Sequence, residues 1–258
     1  MVATRTASGA ESGTNMVFVA AIVAVATLGG FMFGYDSGVI NGTQQGLEQA
    51  FHLTKLGAGF NVGAVLLGCA AGAFLAGRAS DVFGRRNVMI GAAVLFIASA
   101  VAAGSADSST MFVLARLLGG LGVGAASVLS PVYISEVAPA AVRGRLSSAQ
   151  QIMIIAGLTG SFVANFLIAR LAGGSTAIVM GEPAWRWMFW VQVIPSTVFL
   201  VSLTMIPESP RFLVARNMPE KAEAVLSRLF GPDAARAKAV EIKASLAAHQ
   251  HRPRLSDL

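Results

Sequence analysis

The sequence predicts an all-α membrane protein: six transmembrane helices followed by short polar helices. Three observations carry this. Of the 258 residues 55% are hydrophobic and 12% are charged, with a mean hydropathy of +0.67, whereas a soluble domain carries about twice that charge. The apolar residues come in blocks of about 20, the length a helix rising about 1.5 Å per residue needs to cross a hydrocarbon core of about 30 Å. Lys and Arg are divided unequally between alternate links, as in a multi-pass protein with a fixed orientation.

Taken in order, the spans lie near 16–40, 57–77, 87–106, 110–132, 147–170 and 186–206. Residues 1–15 form a polar tail ahead of the 16–206 bundle. The first span has an apolar core longer than the about 7–15 residues of a signal-peptide core, with no A-x-A site at its end, so it is read as a retained span. One set of links carries Arg78, Arg85 and Arg86, then Arg143 and Arg145, then Arg211 and Arg216. The other carries only Lys55, Arg170 and Arg186. The richer side is expected to be cytoplasmic, which places both termini inside a cell (inner or plasma) membrane. Trp185, Trp187 and Trp190 then fall at the outer end of the sixth span, as an aromatic belt would.

Residues 207–258 change character. MPEKAEAVLSRLF and DAARAKAVEIKASLAAH are charged, alanine-rich and helically periodic, too polar to span, and predict short cytoplasmic helices near the inner membrane surface; HRPRLSDL reads as a linker. The net charge of +6 is split over short loops with no aromatic interleaving, so membrane topology explains it and a nucleic-acid partner is not expected. Cys69 is the single cysteine, inside the second span, and reads as a small packed residue. His52, His249 and His251 lie outside the spans. With no H-E-x-x-H, G-x-S-x-G or metal cluster, neither an enzyme nor a metal or cofactor is expected.

Two charges fall inside spans. The first span reaches Asp36 late and the oppositely directed fourth reaches Arg116 early, so both are expected in the outer part of the bilayer, within reach of each other. An ionisable group within a span costs at least about 2.5–3.5 kcal/mol and normally faces a cavity or a partner. A conformational change that parted the pair would alter how the carboxylate holds a proton, a means of coupling protons to transport. Gly68 and Gly72, and Gly120 and Gly124, are small-xxx-small pairs that allow close helix packing. GGLGVG, residues 119–124, follows no strand and is apolar, so a phosphate loop is a poor reading. Three stretches on the basic side, GRASDVFGRR (77–86), ISEVAPAAVRGRL (134–146) and PESPRFL (207–213), combine carboxylate, arginine and a helix breaker. Asp81, Glu136 and Glu208 can pair with Arg85, Arg143 and Arg211, with Arg86 alongside, as a cytoplasmic gate network.

With these motifs in view, the chain resembles the sugar porter family of the major facilitator superfamily. GFMFGYDSGVI matches the first-span motif, GRASDVFGRR the loop motif G-R-x-x-D-x-x-G-R-R, ARLLGGLGVGAASVLSPVYISEVAPAAVRGRL the fourth-span signature, and WRWMF and PESPRFL the sixth span and its exit. The resemblance implies the N-terminal six-helix bundle of a twelve-helix carrier moving a monosaccharide, pentose or hexose, with protons by alternating access. Asp36 matches the proton-binding aspartate of symporting members and Arg116 its partner. Gln151 matches a fifth-span glutamine that hydrogen-bonds sugar hydroxyls, and Phe33 an aromatic lining the same cavity. Two positions depart from the pattern: Leu158 stands where some members have glutamine, and Gln192 where some proton-coupled members have glutamate. The family's second bundle does not follow, so the expected partners are sugar, proton, lipid bilayer and either a separate second half or another copy. The favoured expectation is a truncated or split reading frame of a parent transporter; the competing ones are a half-size protein that pairs with itself or with a separate second half, and a non-transporting sugar sensor.

Overall fold

The computed structural model describes residues 14–250. Five long helices come first: α1 (Met16–Ala50), α2 (Lys55–Phe83), α3 (Arg85–Gly104), α4 (Ser109–Val137) and α5 (Arg143–Ala172). A small antiparallel hairpin, β1 (Ile178–Val179) with β2 (Glu182–Pro183), leads into the sixth span, which is made of two pieces, α6 (Ala184–Val191) and α7 (Val193–Met205). Three shorter helices complete the order: α8 (Pro210–Ala215), α9 (Pro219–Phe230) and α10 (Pro232–Gln250). The six expected spans are all present. Residues 1–13, the side chain of His249 and the whole HRPRLSDL segment, with His251, lie outside the described residues.

Local sequence explains the helix limits. Asn15, Thr54 and Ser108 each accept an amide N–H of the first turn, from Phe18, Gly57 and Met111, the capping that short polar side chains supply. Gly84, at φ 95°, joins α2 directly to α3 in a conformation that favours glycine. α1 is longer than its apolar block: at 35 residues it is about 52 Å long, and its last turns carry Asn41, Gln44, Gln45 and Glu48 beyond the apolar stretch.

The bundle is assembled from two helix pairs held at backbone distance. α2 packs on α4 through the two predicted glycine pairs: a Cβ on Gly68 would strike the Leu117 carbonyl, and one on Gly124 the Cys69 carbonyl. α1 packs on α5 through a longer ladder that the sequence reading passed over. Glycine recurs at every fourth position from Gly30 to Gly46, and added Cβ atoms there would meet Gln150, the Ile154 backbone, Ser161, Asn165 and Trp185 in turn. A four-residue repeat lies along one helix face, so α1 presents a smooth groove to its neighbour.

Large side chains fill the space at both ends. The end carrying the start of α1, here called the basic end, is packed by Ile22, Phe96, Leu129, Tyr133 and Phe199, with Leu226, Leu229 and Phe230 of α9 closing over it. There Leu229 accepts the Asn15 amide and Arg228 lies 4.4 Å over the Phe18 ring. The far end is packed by Val39, Leu47, Phe112, Trp185, Met188 and Phe189. This corrects the aromatic belt. Trp185 is buried core at 1% exposure, edge-on to Phe51, while Trp187 and Trp190 are half-buried and pair edge-to-face at 5.1 Å.

Candidate functional site

Asp36 and Arg116 meet, as their depths predicted. Arg116 donates through Nη1 to Asp36 Oδ1 at 2.8 Å and through Nη2 to Oδ2 at 2.9 Å, and both side chains are 1% exposed. This two-pronged geometry is the strongest form of the interaction, and it offsets a desolvation that either charge alone would not survive in the fold. The guanidinium lies 5.8 Å from the Phe189 ring centre. Close by, the Ser99 hydroxyl donates to the Ala115 carbonyl at 2.8 Å, and only a glycine at 119 leaves room for it.

A third residue completes the site. Gln192 Nε2 donates to Asp36 Oδ1 at 3.0 Å. It is placed there by the interruption of the sixth span, where Gln192 ends α6 and opens α7. Pro195 has no amide hydrogen to offer the preceding turn, and the Gln192 carbonyl instead accepts both the amide and the hydroxyl of Ser196, at 3.2 and 2.8 Å. The sequence marked Gln192 only as a departure from a family pattern. The signal for its role was QVIP itself, an amide three residues before a proline inside an apolar run.

Phe33 and Gln151 lie on either side of the α1–α5 seam, next to Gly34 and Gln150. Phe33 is half-buried and packs beside the basic-end core. Gln151, matched by the resemblance to a sugar-binding glutamine, is exposed, and its side chain has no hydrogen-bond partner among the described residues. The buried amide is its neighbour Gln150, 7% exposed and packed against Gly30. The cause is helical: successive residues are about 100° apart, so Gln150 faces α1 while Gln151 faces away. Leu158 packs into the seam beside Gly34 and Gly38.

At the basic end the predicted charges assemble: Asp81 meets Arg85 as expected, while Glu136 and Glu208 take other partners. Arg85 is the centre, with Nη1 3.1 Å from Asp81 and Nε 3.3 Å from Glu136. Glu136 also accepts the Ser209 hydroxyl. Glu208 does not pair with Arg211; its Oε1 accepts the amides of Arg85 at 3.0 Å, Arg86 at 3.1 Å and Ser209 at 2.8 Å. It thereby caps α3, whose own N-cap, Gly84, has no side chain, and a carboxylate suits the positive end of the helix. Arg86 closes the return path by donating to the Leu203 and Thr204 carbonyls at the end of α7. Arg143 and Arg211 form no ion pair among the described residues and line a cleft of about 270 Å³ with Glu136 and Glu241. Replacing Glu208 with alanine is expected to destabilise the chain by about 1–3 kcal/mol. Thermal unfolding in detergent would show it, together with faster amide exchange in the first turn of α3; Glu208→Gln, which keeps an acceptor, should lose less.

Six spans, four of them in two backbone-packed pairs, around a buried ion pair define one bundle of the major facilitator fold. The chain belongs to the sugar transporter family: residues 22–256 match the family described as "Sugar (and other) transporter". It is 46% identical to the "Glucose transport protein" of Synechocystis sp. over 253 residues, which covers 97% of this chain and 54% of the relative. It is 40% identical to the "D-xylose-proton symporter" of Escherichia coli strain K12 over 260 residues, which covers 90% and 52%. The solved structure of the proton:xylose symporter XylE bound to 6-bromo-6-deoxy-D-glucose superposes with a TM-score of 0.85 at 39% identity, over 91% of this chain and 54% of that one. The chain thus spans about half the length of the relatives it matches.

Proposed function

We propose that this chain is the proton-coupling half of a monosaccharide/proton symporter. The observation that carries the reading is the buried, two-pronged Asp36–Arg116 pair with Gln192 on its free flank. A carboxylate in the membrane core that is held by one fixed cation is a group whose protonation changes the local charge balance, and such groups mark proton pathways. The names of the relatives, a D-xylose–proton symporter and a glucose transport protein, supply the substrate class, a pentose or hexose.

Within this reading Arg116 holds Asp36 as a carboxylate while the site is closed to water. Proton uptake on Asp36 neutralises the carboxylate and leaves the pair with the net positive charge of the guanidinium. Gln151, an exposed amide beside the α1–α5 seam, supplies hydrogen bonds to sugar hydroxyls, and Phe33 supplies the apolar wall that a sugar ring stacks on. A second six-helix bundle provides the opposite side of the cavity, since such sites lie between repeats near the midplane. The basic end faces the cytoplasm, where Arg85, Arg86, Glu136 and Glu208 tie the span ends together and open when the bundles rock.

The test is uptake of labelled xylose and glucose, with external pH recorded, in cells lacking their own carriers. The chain is expressed alone or with a matching second half. Accumulation accompanied by external alkalinisation is the expected result with a complete pair of bundles; accumulation without any pH change would defeat the proton-coupled reading.

A further inference from the structure

Asp36 has two chemical states to satisfy in a dry site, and they demand different neighbours. The carboxylate only accepts hydrogen bonds, whereas the protonated acid also carries a donor that needs an acceptor. Arg116 offers donors and no acceptor, so it serves the first state alone. Gln192 carries both kinds of group on one carboxamide: Nε2 donates to Asp36 Oδ1, while Oε1 is buried and without a partner. A buried, unsatisfied carbonyl oxygen is costly, and here it sits one amide rotation from the atom that gains a hydrogen when Asp36 is protonated.

We propose that Gln192 is a positioning residue that holds Asp36 in both protonation states, donating through Nε2 to the carboxylate and, after a half-turn of its amide, accepting through Oε1 from the protonated acid. The inference rests on the reading of Asp36 as the proton-binding group. The other groups around Asp36 do not fill the second role. From α4 comes Arg116, a donor only. From α2 comes Cys69, which lies within electrostatic range of the carboxylate and is half-buried. From α3 comes the Ser99 hydroxyl, which gives its hydrogen to the Ala115 carbonyl and keeps acceptor lone pairs, but it forms no hydrogen bond with Asp36 among the described residues. On α1 itself Tyr35 is the adjacent titratable side chain. Gln192 can make the exchange because it stands at the break between α6 and α7, where its own carbonyl is held by Ser196 and its side chain is left to the site. A glutamate at this position would bring a second proton and a second charge; glutamine serves both states of Asp36 while staying neutral.

The experiment is pH-difference infrared spectroscopy of the whole chain in lipid nanodiscs, with side-chain-labelled glutamine. In the unmodified chain, lowering the pH should produce a protonated-carboxyl stretch that is lost in Asp36→Asn. A labelled amide band should shift in the same transition. Gln192→Met, close in shape and apolar, should keep the melting temperature near that of the unmodified chain, remove the amide shift, and move the carboxyl stretch to the higher frequency of an acid without a hydrogen-bond acceptor. If the carboxyl band depends on Asp36 but neither its frequency nor the amide signal responds to Gln192→Met, the role of Gln192 is overturned while the proton-binding reading stands. If no carboxyl band is lost in Asp36→Asn, the proton-binding reading fails and takes this inference with it. The amide shift in the unmodified chain is read without any variant, so its absence also defeats the proposal should Gln192→Met not fold.

Discussion

Arg116→Leu is expected to destabilise the chain by about 3–5 kcal/mol, because it leaves the Asp36 carboxylate in a nearly dry site with Gln192 as its one remaining side-chain donor among the described residues. The size follows from geometry rather than from the attraction alone. Both side chains are 1% exposed and both oxygens are engaged, so water cannot replace the guanidinium. Adding Asp36→Asn removes the orphaned charge, and the double variant should recover a substantial part of the loss; residues in one network are not additive. Unfolding in a detergent series measures both. An Arg116→Leu chain within about 0.5 kcal/mol of the unmodified one, the range of ordinary surface changes, would mean that the pair is solvated and not a closed site.

Gly34→Val is expected to be comparably severe, more than about 3 kcal/mol, and Gly124→Ala to lose about 1–3 kcal/mol. In both places the atom in the way is backbone, the Ile154 carbonyl or the Cys69 carbonyl. A rotamer change elsewhere cannot make room; the helices must part, and parting forfeits contact along the entire seam. The control is Gly63→Ala in α2, where nothing lies within 4 Å of the added carbon. That change should be neutral or stabilising by up to about 1 kcal/mol, since alanine is the better helix former. Equal behaviour of Gly124→Ala and Gly63→Ala would refute the close-packed seam.

These seams also bear on mechanism. Asp36 on α1 and Arg116 on α4 belong to one interlocked bundle, with α1 locked to α5 and α4 to α2 by glycine contacts. The glycine contacts hold α1 to α5 and α2 to α4 as two separate pairs, and the Asp36–Arg116 ion pair joins one pair to the other.

Much of the bundle was legible in the sequence because the bilayer imposes simple requirements on length and polarity, and six apolar blocks meet them. Asp36 and Arg116 were legible for the same reason: counting residues along two antiparallel spans gives their depth. Residues whose role depends on what approaches from elsewhere were not. Glu208 looked like a partner for Arg211, three residues away on the chain, and became the cap of α3 because the end of the sixth span folds back over Gly84. Trp185 looked like a belt residue, and was buried because Gly46 leaves a recess for its ring. Gln150 and Gln151 are alike in sequence, and only the direction of α5 relative to α1 decides which of them is covered. The α1 glycine ladder was readable as a four-residue period, yet its meaning required the partner helix.

The proposed role of Asp36 as proton carrier is tested most directly by one comparison: sugar counterflow against proton-driven accumulation in vesicles containing Asp36→Asn with a complete pair of bundles. Counterflow asks only that the cavity bind sugar and alternate, while accumulation also asks that a proton be carried. Asp36→Asn is expected to keep counterflow and to lose both accumulation and sugar-induced alkalinisation. Accumulation and alkalinisation persisting at the unmodified level would contradict that role.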